Sequence, residues 1–208
     1  MEMFLNRKRK PKFPCPGCFL HESLCICDAM PTLNLKTKVS LIIHKRELKR
    51  TTNTGRLALK ALVNSEMRIR GEDYDRLDLS DILTNEYHTV LLYPSDDAIN
   101  LDQKFVEKID RPIQLIVPDG NWRQASKVHF RHSELKDIER VSICAPNLPK
   151  VVMRAENKPN GMTTIQAIAY ALGVIEGNEV KRKLLDIYKL KLERTLASRG
   201  VTINAEEL

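Results

Sequence analysis

Four of the chain's five cysteines stand close together, as Cys15-Pro-Gly-Cys18 and Cys25-Ile-Cys27, while Cys144 is alone far downstream. This C-x2-C-x6-C-x-C spacing suits zinc: two pairs on tight turns, each supplying two corners of a tetrahedron. Gly17 fits such a turn, because a tight knuckle often takes a positive φ. Four protein ligands leave no position for water, so the expected ion is structural rather than catalytic. Unligated thiols and a disulfide pair are the alternatives, and cysteines in a chain without a secretory leader favour the metal. His21 is a nearby substitute ligand, but it reads better as a surface histidine.

Three other segments have the composition of ligand-binding loops: Tyr93-Pro-Ser-Asp-Asp97, Pro118-Asp-Gly-Asn-Trp122 and Gly161-Met-Thr-Thr-Ile-Gln166. Each follows or joins an apolar run, and ligands of open parallel sheets sit outside the carboxyl ends of the strands. Asp119 and Gly120 stand together in the second of these loops. Each segment also has a plain structural reading. Asp119 or Asn121 can cap the helix that starts near Trp122, and Thr163 with Gln166 fits a capping box. Trp122, the only tryptophan, can simply pack in a core. A fourth cluster, Lys45-Arg-Glu-Leu-Lys-Arg50-Thr-Thr-Asn-Thr-Gly-Arg56, sets arginine forks and amide donors ahead of a helix, where phosphate can be held. A solvated loop fits it equally well.

The elements that must position these residues follow from periodicity. Val39-Ser-Leu-Ile-Ile43, Val90-Leu-Leu-Tyr93 and Ile113-Gln-Leu-Ile-Val117 read as buried strands, the last two stopped by Pro94 and Pro118. Helices are expected over Thr54 to Arg68, Arg123 to Phe130, Ile165 to Ile175 and Glu179 to Arg199. The last carries Val180, Leu184, Ile187, Tyr188 and Leu192 on one side and ends at Gly200. Strands alternating with helices predict an α/β domain with a largely parallel sheet. The expected organisation is a flexible basic arm over 1–14, a zinc-binding knuckle over 15–36 and a catalytic α/β domain over 37–208.

The 208 residues are 42% hydrophobic and 29% charged, which excludes wholesale disorder. No apolar run spans a bilayer, and Met1 to Lys12 lack a signal-peptide core, so a cytoplasmic protein without a membrane partner is expected. Thirty-four basic against 27 acidic residues leave a net charge of +7, which favours an anionic partner such as nucleic acid. No motif for an obligate protein partner is readable.

In one order, the chain carries the cysteine cluster, Thr52-Asn-Thr-Gly-Arg56, Tyr93-Pro94-Ser95, Asp119-Gly120-Asn121-Trp122-Arg123-Gln124-Ala125 and Thr163-Thr164-Ile165-Gln166-Ala167. Together these resemble the DTW-domain family, named for an Asp-x-Thr-Trp motif. Asn121 stands where the name motif has Thr, Gln166 where the family usually has Glu, and Lys45 follows His44 where Pro is usual. The resemblance implies a SPOUT-like sheet with a C-terminal trefoil knot. It also implies transfer of the 3-amino-3-carboxypropyl group of S-adenosylmethionine to position 3 of a tRNA uridine. Leu92, Tyr93, Pro94, Ser95, Asp119, Gly120, Trp122, Thr163 and Thr164 would then hold the donor, with Arg154 or Arg123 on its carboxylate. Asp119 would then be the general base for the uridine's imide proton, with Gly120 beside it leaving room for a ligand to approach. The RNA side would comprise Lys49, Arg50, Asn53, Arg56, Arg123 and Lys127 together with the arm Arg7 to Lys12, and Trp122 or Tyr93 would stack on a flipped base. The alternatives are a SPOUT-like RNA methyltransferase and a catalytically idle zinc-bearing RNA-binding protein.

Overall fold

The computed structural model describes residues 14–71, 77–144 and 161–201. The arm Arg7 to Lys12 and Arg154 lie outside these described residues. The strands are β1 (Lys38–His44), β2 (Ser65–Arg70), β3 (His88–Leu92), β4 (Ile99–Asn100), β5 (Ile113–Asp119) and β6 (Glu139–Ser142). The helices are α1 (Gly55–Ala61), α2 (Gln103–Val106), α3 (Trp122–Arg131), α4 (Thr164–Ile175) and α5 (Asn178–Ala197). The six strands form one sheet in the order β2-β1-β5-β3-β6-β4, with every pairing parallel. An α/β chain with a parallel sheet, as expected from the alternation of elements, is what forms. Among the described residues, no helix is long and apolar enough to cross a membrane.

Helices cover both faces, which is why β1 and β5 are buried almost throughout instead of alternating with water. Leu41, Ile43, Leu115, Val117, Val90 and Leu92 join α1, α4 and α5 in the larger core. Ile42, Ile116 and Leu91 point the other way and pack with Val128 of α3. Cys18, Leu20, Ile26 and Leu33, from the expected knuckle, belong to the larger core and not to one of their own. The hairpin of α4 and α5 turns at Gly177, whose φ of +107° favours glycine. Glu176 there accepts bonds from the amide and hydroxyl of Thr37 at 2.7 and 2.6 Å, tying the hairpin to the head of β1.

Two expectations are corrected. The helix predicted from Thr54 to Arg68 ends at Ala61, and its last third is the edge strand β2. The Ser65 hydroxyl donates to the carbonyls of Leu62 and Leu59, closing the helix end. Glu66, Arg68 and Arg70 alternate with Met67 and Ile69, a charged edge secured by Lys38–Glu66 at 2.7 Å. Pro118 does not stop β5, which runs on to Asp119. At those two residues only β1 still pairs with β5, the kind of place where a proline's missing N–H is tolerated.

Candidate functional site

The cysteines converge as their spacing predicted. The four Sγ atoms lie within 4.8 Å of one another, with separations of 3.5, 3.6 and 3.8 Å among Cys25–Cys15, Cys15–Cys27 and Cys18–Cys25. Four sulfurs about 2.3 Å from a common centre are about 3.8 Å apart, so the set has the dimensions of a tetrahedral zinc site. A disulfide needs about 2.05 Å, and all four thiols are free. The backbone N–H of Cys18 leads the effects that hold Cys15 down at about 6, while burial and neighbouring thiols push Cys27 up to about 12. Sulfurs this close resist ionising together, and a divalent cation at their centre removes that opposition.

The role of Gly17 differs from expectation. The positive φ of the knuckle belongs to Phe19, at +59°. Gly17 is needed for space, since a Cβ there would lie 2.6 Å from both Cys27 Sγ and Lys60 Nζ. His21 stays exposed and accepts from the Ser23 amide, capping a short turn. A residue the sequence did not flag completes the centre. Lys191 of α5 is only 1% exposed and donates to the Cys18 carbonyl at 2.5 Å. Burial lowers it to about 8, and the thiols of Cys18, Cys15 and Cys27 pull it back up.

Asp119 ends the central strand and is 5% exposed. Its Oδ2 accepts from the Asn53 side-chain amide and its Oδ1 from the Thr164 hydroxyl, both at 2.5 Å. Asn53 Oδ1 in turn accepts from the Arg56 amide at the start of α1, and Thr54 Oγ1 accepts from the Ile165 amide at the start of α4. Gly55 presses on the carboxylate so closely that a Cβ would sit 3.0 Å from it. Three motifs far apart in sequence thus meet at one acid. Asn53, expected on the RNA, faces inward and orients Asp119 instead. Arg56 is likewise engaged within the fold, donating to the Leu48 carbonyl at 2.6 Å and lying 4.5 Å over the Phe19 ring.

The loop after β3 approaches from the other face. Leu92 shares the Asp119 face, but Tyr93 packs with the α3-side core, its ring stacked on His129 at 6.5 Å. Arg140 donates to His129 Nδ1 and pairs with Asp97, clamping the loop that holds Pro94 and Ser95. Trp122 begins α3, half-buried. The space expected beside Gly120 for a ligand is filled: a Cβ there would meet Gln124 Cβ at 2.8 Å. Gln124 folds back to accept from the Asn121 amide while Asn121 accepts from the Gln124 amide, so Asn121 is the cap of α3. Thr163 and Gln166 form the matching capping box on α4. Asn replaces Thr and Gln replaces Glu in these capping roles without loss of the bonds each role needs.

Outside Asp119, on the α3 side, a cleft of about 460 Å³ is lined by His44, Lys45, Arg46, Asn121, Arg123 and Lys127, among others. Arg70 reaches the Gln124 carbonyl beside it. Lys127 is lowered chiefly by Arg131, then by burial, Arg123 and Arg70, the signature of crowded cations. Arg123 and Lys127 therefore stand where an anion can reach them. Lys49 is exposed, and Arg50 pairs with the buried Glu47 at 3.2 Å.

Comparison with known proteins agrees with this arrangement of motifs. The family described as DTW domain matches residues 12–196. Proteins named tRNA-uridine aminocarboxypropyltransferase 2 from Macaca fascicularis and Mus musculus are each 24% identical, over 185 and 187 residues, and one from Drosophila melanogaster is 25% identical over 187. Each alignment covers 86% of this chain. It covers 61% of the macaque and mouse proteins and 72% of the fly protein, so the chain spans about three-fifths of the length of those mammalian relatives.

Proposed function

The chain belongs to the DTW domain family, and on that premise we propose that it transfers the 3-amino-3-carboxypropyl group of S-adenosylmethionine to N3 of a uridine in tRNA. The observation that carries this reading is the meeting of the Asn53-Thr-Gly55, Asp119 and Thr163-Thr164 motifs at one hydrogen-bonded carboxylate. N3 attacks the methylene carbon beside the sulfonium. The carbon–sulfur bond breaks with its electron pair going to sulfur, methylthioadenosine leaves, and the imide proton departs from N3. Asp119 is the group assigned to that proton. A carboxylate has about four lone-pair sites and the Asn53 and Thr164 bonds use two of them, so Asp119 can take the proton while both partners hold it in place; orientation, more than strong basicity, is what the site supplies.

The loops holding Leu92 to Ser95, Asp119 to Trp122 and Thr163-Thr164 all lie at the carboxyl edge of the sheet, where the donor is assigned. A SPOUT-like chain path with a trefoil knot is part of the same reading, as is action in the cytoplasm. The cysteine set would hold zinc as a purely structural ion that fastens the knuckle to the core. The test is to incubate the purified chain with S-adenosylmethionine and unmodified tRNA. The reading expects methylthioadenosine together with a uridine heavier by the aminocarboxypropyl mass. S-adenosylhomocysteine would instead make the chain a methyltransferase, and tight binding without turnover an idle RNA binder. The intact capping roles of Asn121 and Gln166 favour the enzyme over the idle protein.

A further inference from the structure

Helix α3 carries Arg123, Lys127 and Arg131 at i, i+4 and i+8, a spacing that lines them along one side. At 1.5 Å per residue the row is about 12 Å long, more than a single phosphate or carboxylate can engage. Among the described residues none of the three takes part in an ion pair. Phe130 lies next to this row and is 79% exposed. Its ring is tilted against that of His129, with centroids 4.7 Å apart. A lone exposed aromatic needs no explanation. An exposed aromatic beside a row of cations is the composition of a surface that grips a nucleic-acid strand by its phosphates and stacks on its bases.

We propose that the outer side of α3 binds a single-stranded stretch of RNA, with Arg123, Lys127 and Arg131 on successive phosphates and Phe130 stacked on an unpaired base. This rests on the reading of the chain as a tRNA-modifying enzyme, and it names the surface that would receive the substrate. The helix begins three residues after Asp119, so a strand lying on it passes the rim of the same site. The cleft of His44, Arg46 and Arg123 extends the row toward β1, where a further phosphate fits. A phosphopeptide would use the cations and leave Phe130 idle, whereas RNA uses both.

Salt separates the two kinds of contact. Affinity for an unmodified tRNA transcript is measured by fluorescence anisotropy at several sodium chloride concentrations. Arg131→Gln and Lys127→Gln should each weaken binding and make the slope of log affinity against log salt shallower by about 1. Phe130→Ala should raise Kd about tenfold and leave the slope unchanged, because stacking releases no counterions. On a fully paired RNA of equal length, the Phe130→Ala effect should vanish while the cation effects persist. Arg182→Gln, on α5, is the control for net charge and should change neither quantity. Unchanged slopes in the α3 variants, an equal change in Arg182→Gln, or no effect of Phe130→Ala on tRNA overturns the proposal. If these failures occur while the wild-type chain still releases methylthioadenosine with tRNA, the functional reading survives; if the wild-type chain does not bind tRNA, both fall.

Discussion

Asp119 is nearly sealed from water, yet its donors Asn53 and Thr164 come from segments that open two different helices. Such an acid is held for a purpose or at a cost, and substitution distinguishes the two. Asp119→Asn keeps the shape but turns one of its oxygens into an NH2 donor, facing either the Asn53 amide or the Thr164 hydroxyl. We expect at least a hundredfold loss of kcat in methylthioadenosine release, with tRNA affinity unchanged and about 1–3 kcal/mol lost in stability. Full activity in Asp119→Asn would remove it from the chemistry. Gly55→Ala pushes on the same carboxylate from behind and should cut kcat while sparing tRNA binding, since its Cβ also meets Leu41 Cδ1 at 3.1 Å and cannot slip aside. Asp119 was legible from its place after an apolar run and beside a glycine. Asn53 was legible as a polar residue near a helix start but not as the partner of Asp119, because sequence does not say which way a loop side chain turns. Gly17 and Gly120 were marked for backbone freedom or ligand access; both are required by neighbouring side chains that only the folded chain brings there.

Apolar runs made β1, β3 and β5 readable, and amphipathic spacing did the same for α3, α4 and α5. The outlying strands β2, β4 and β6 were not readable: β2 and β6 mix charged with apolar residues, β4 is only two residues long, and their pairing partners are distant in sequence. At the N-terminus of α3, the Asn121–Gln124 box has a testable worth. Asn121→Ala should cost about 1 kcal/mol, lowering Tm by about 2–4 °C, while Asn121→Thr should stay within about 0.5 kcal/mol because threonine caps nearly as well. Equal loss in both variants would mean that Asn121 has a role beyond the cap. The clamp on the β3 loop predicts a pH response. Burial, then Arg140, lowers His129, whose neutral Nδ1 accepts from that arginine. The unfolded chain therefore takes up the proton first as pH falls. Stability from this group is full above its ordinary value of about 6.5 and declines as acid carries pH down toward the lowered one. Tm measured between pH 7.5 and 5.5 should fall, and His129→Gln should flatten that fall; an unaltered profile in His129→Gln would place the acid sensitivity elsewhere.

The expected knuckle over 15–36 shares one core with the sheet, and Lys191 reaches into it from the last helix. A metal held by the four cysteines would therefore fasten the whole molecule and not a detachable appendage. Four thiolates around a divalent cation carry a net double negative charge, and burying it without compensation is costly. Lys191 lies fully inside against Cys18, and Lys60 Nζ lies near the Gly17 turn, so two cations stand where two negative charges would fall. Chelation should then lower Tm by at least about 10 °C and loosen α5 as well as residues 15–36, because the hairpin of α4 and α5 packs on the same apolar side chains. Hydrogen exchange would report both regions opening together; protection lost in 15–36 alone would mean that the knuckle is independent. Lys191→Met keeps the length and apolar stem of the side chain but removes its charge and its bond to the Cys18 carbonyl. Zinc should pass from Lys191→Met to a chromophoric chelator several times faster than from the wild-type chain, while Lys183→Met, half-buried on the same helix and paired with Glu179, should release it at the wild-type rate. Equal release from Lys191→Met and the wild-type chain would show that the buried lysine supports packing alone and takes no part in balancing the thiolates.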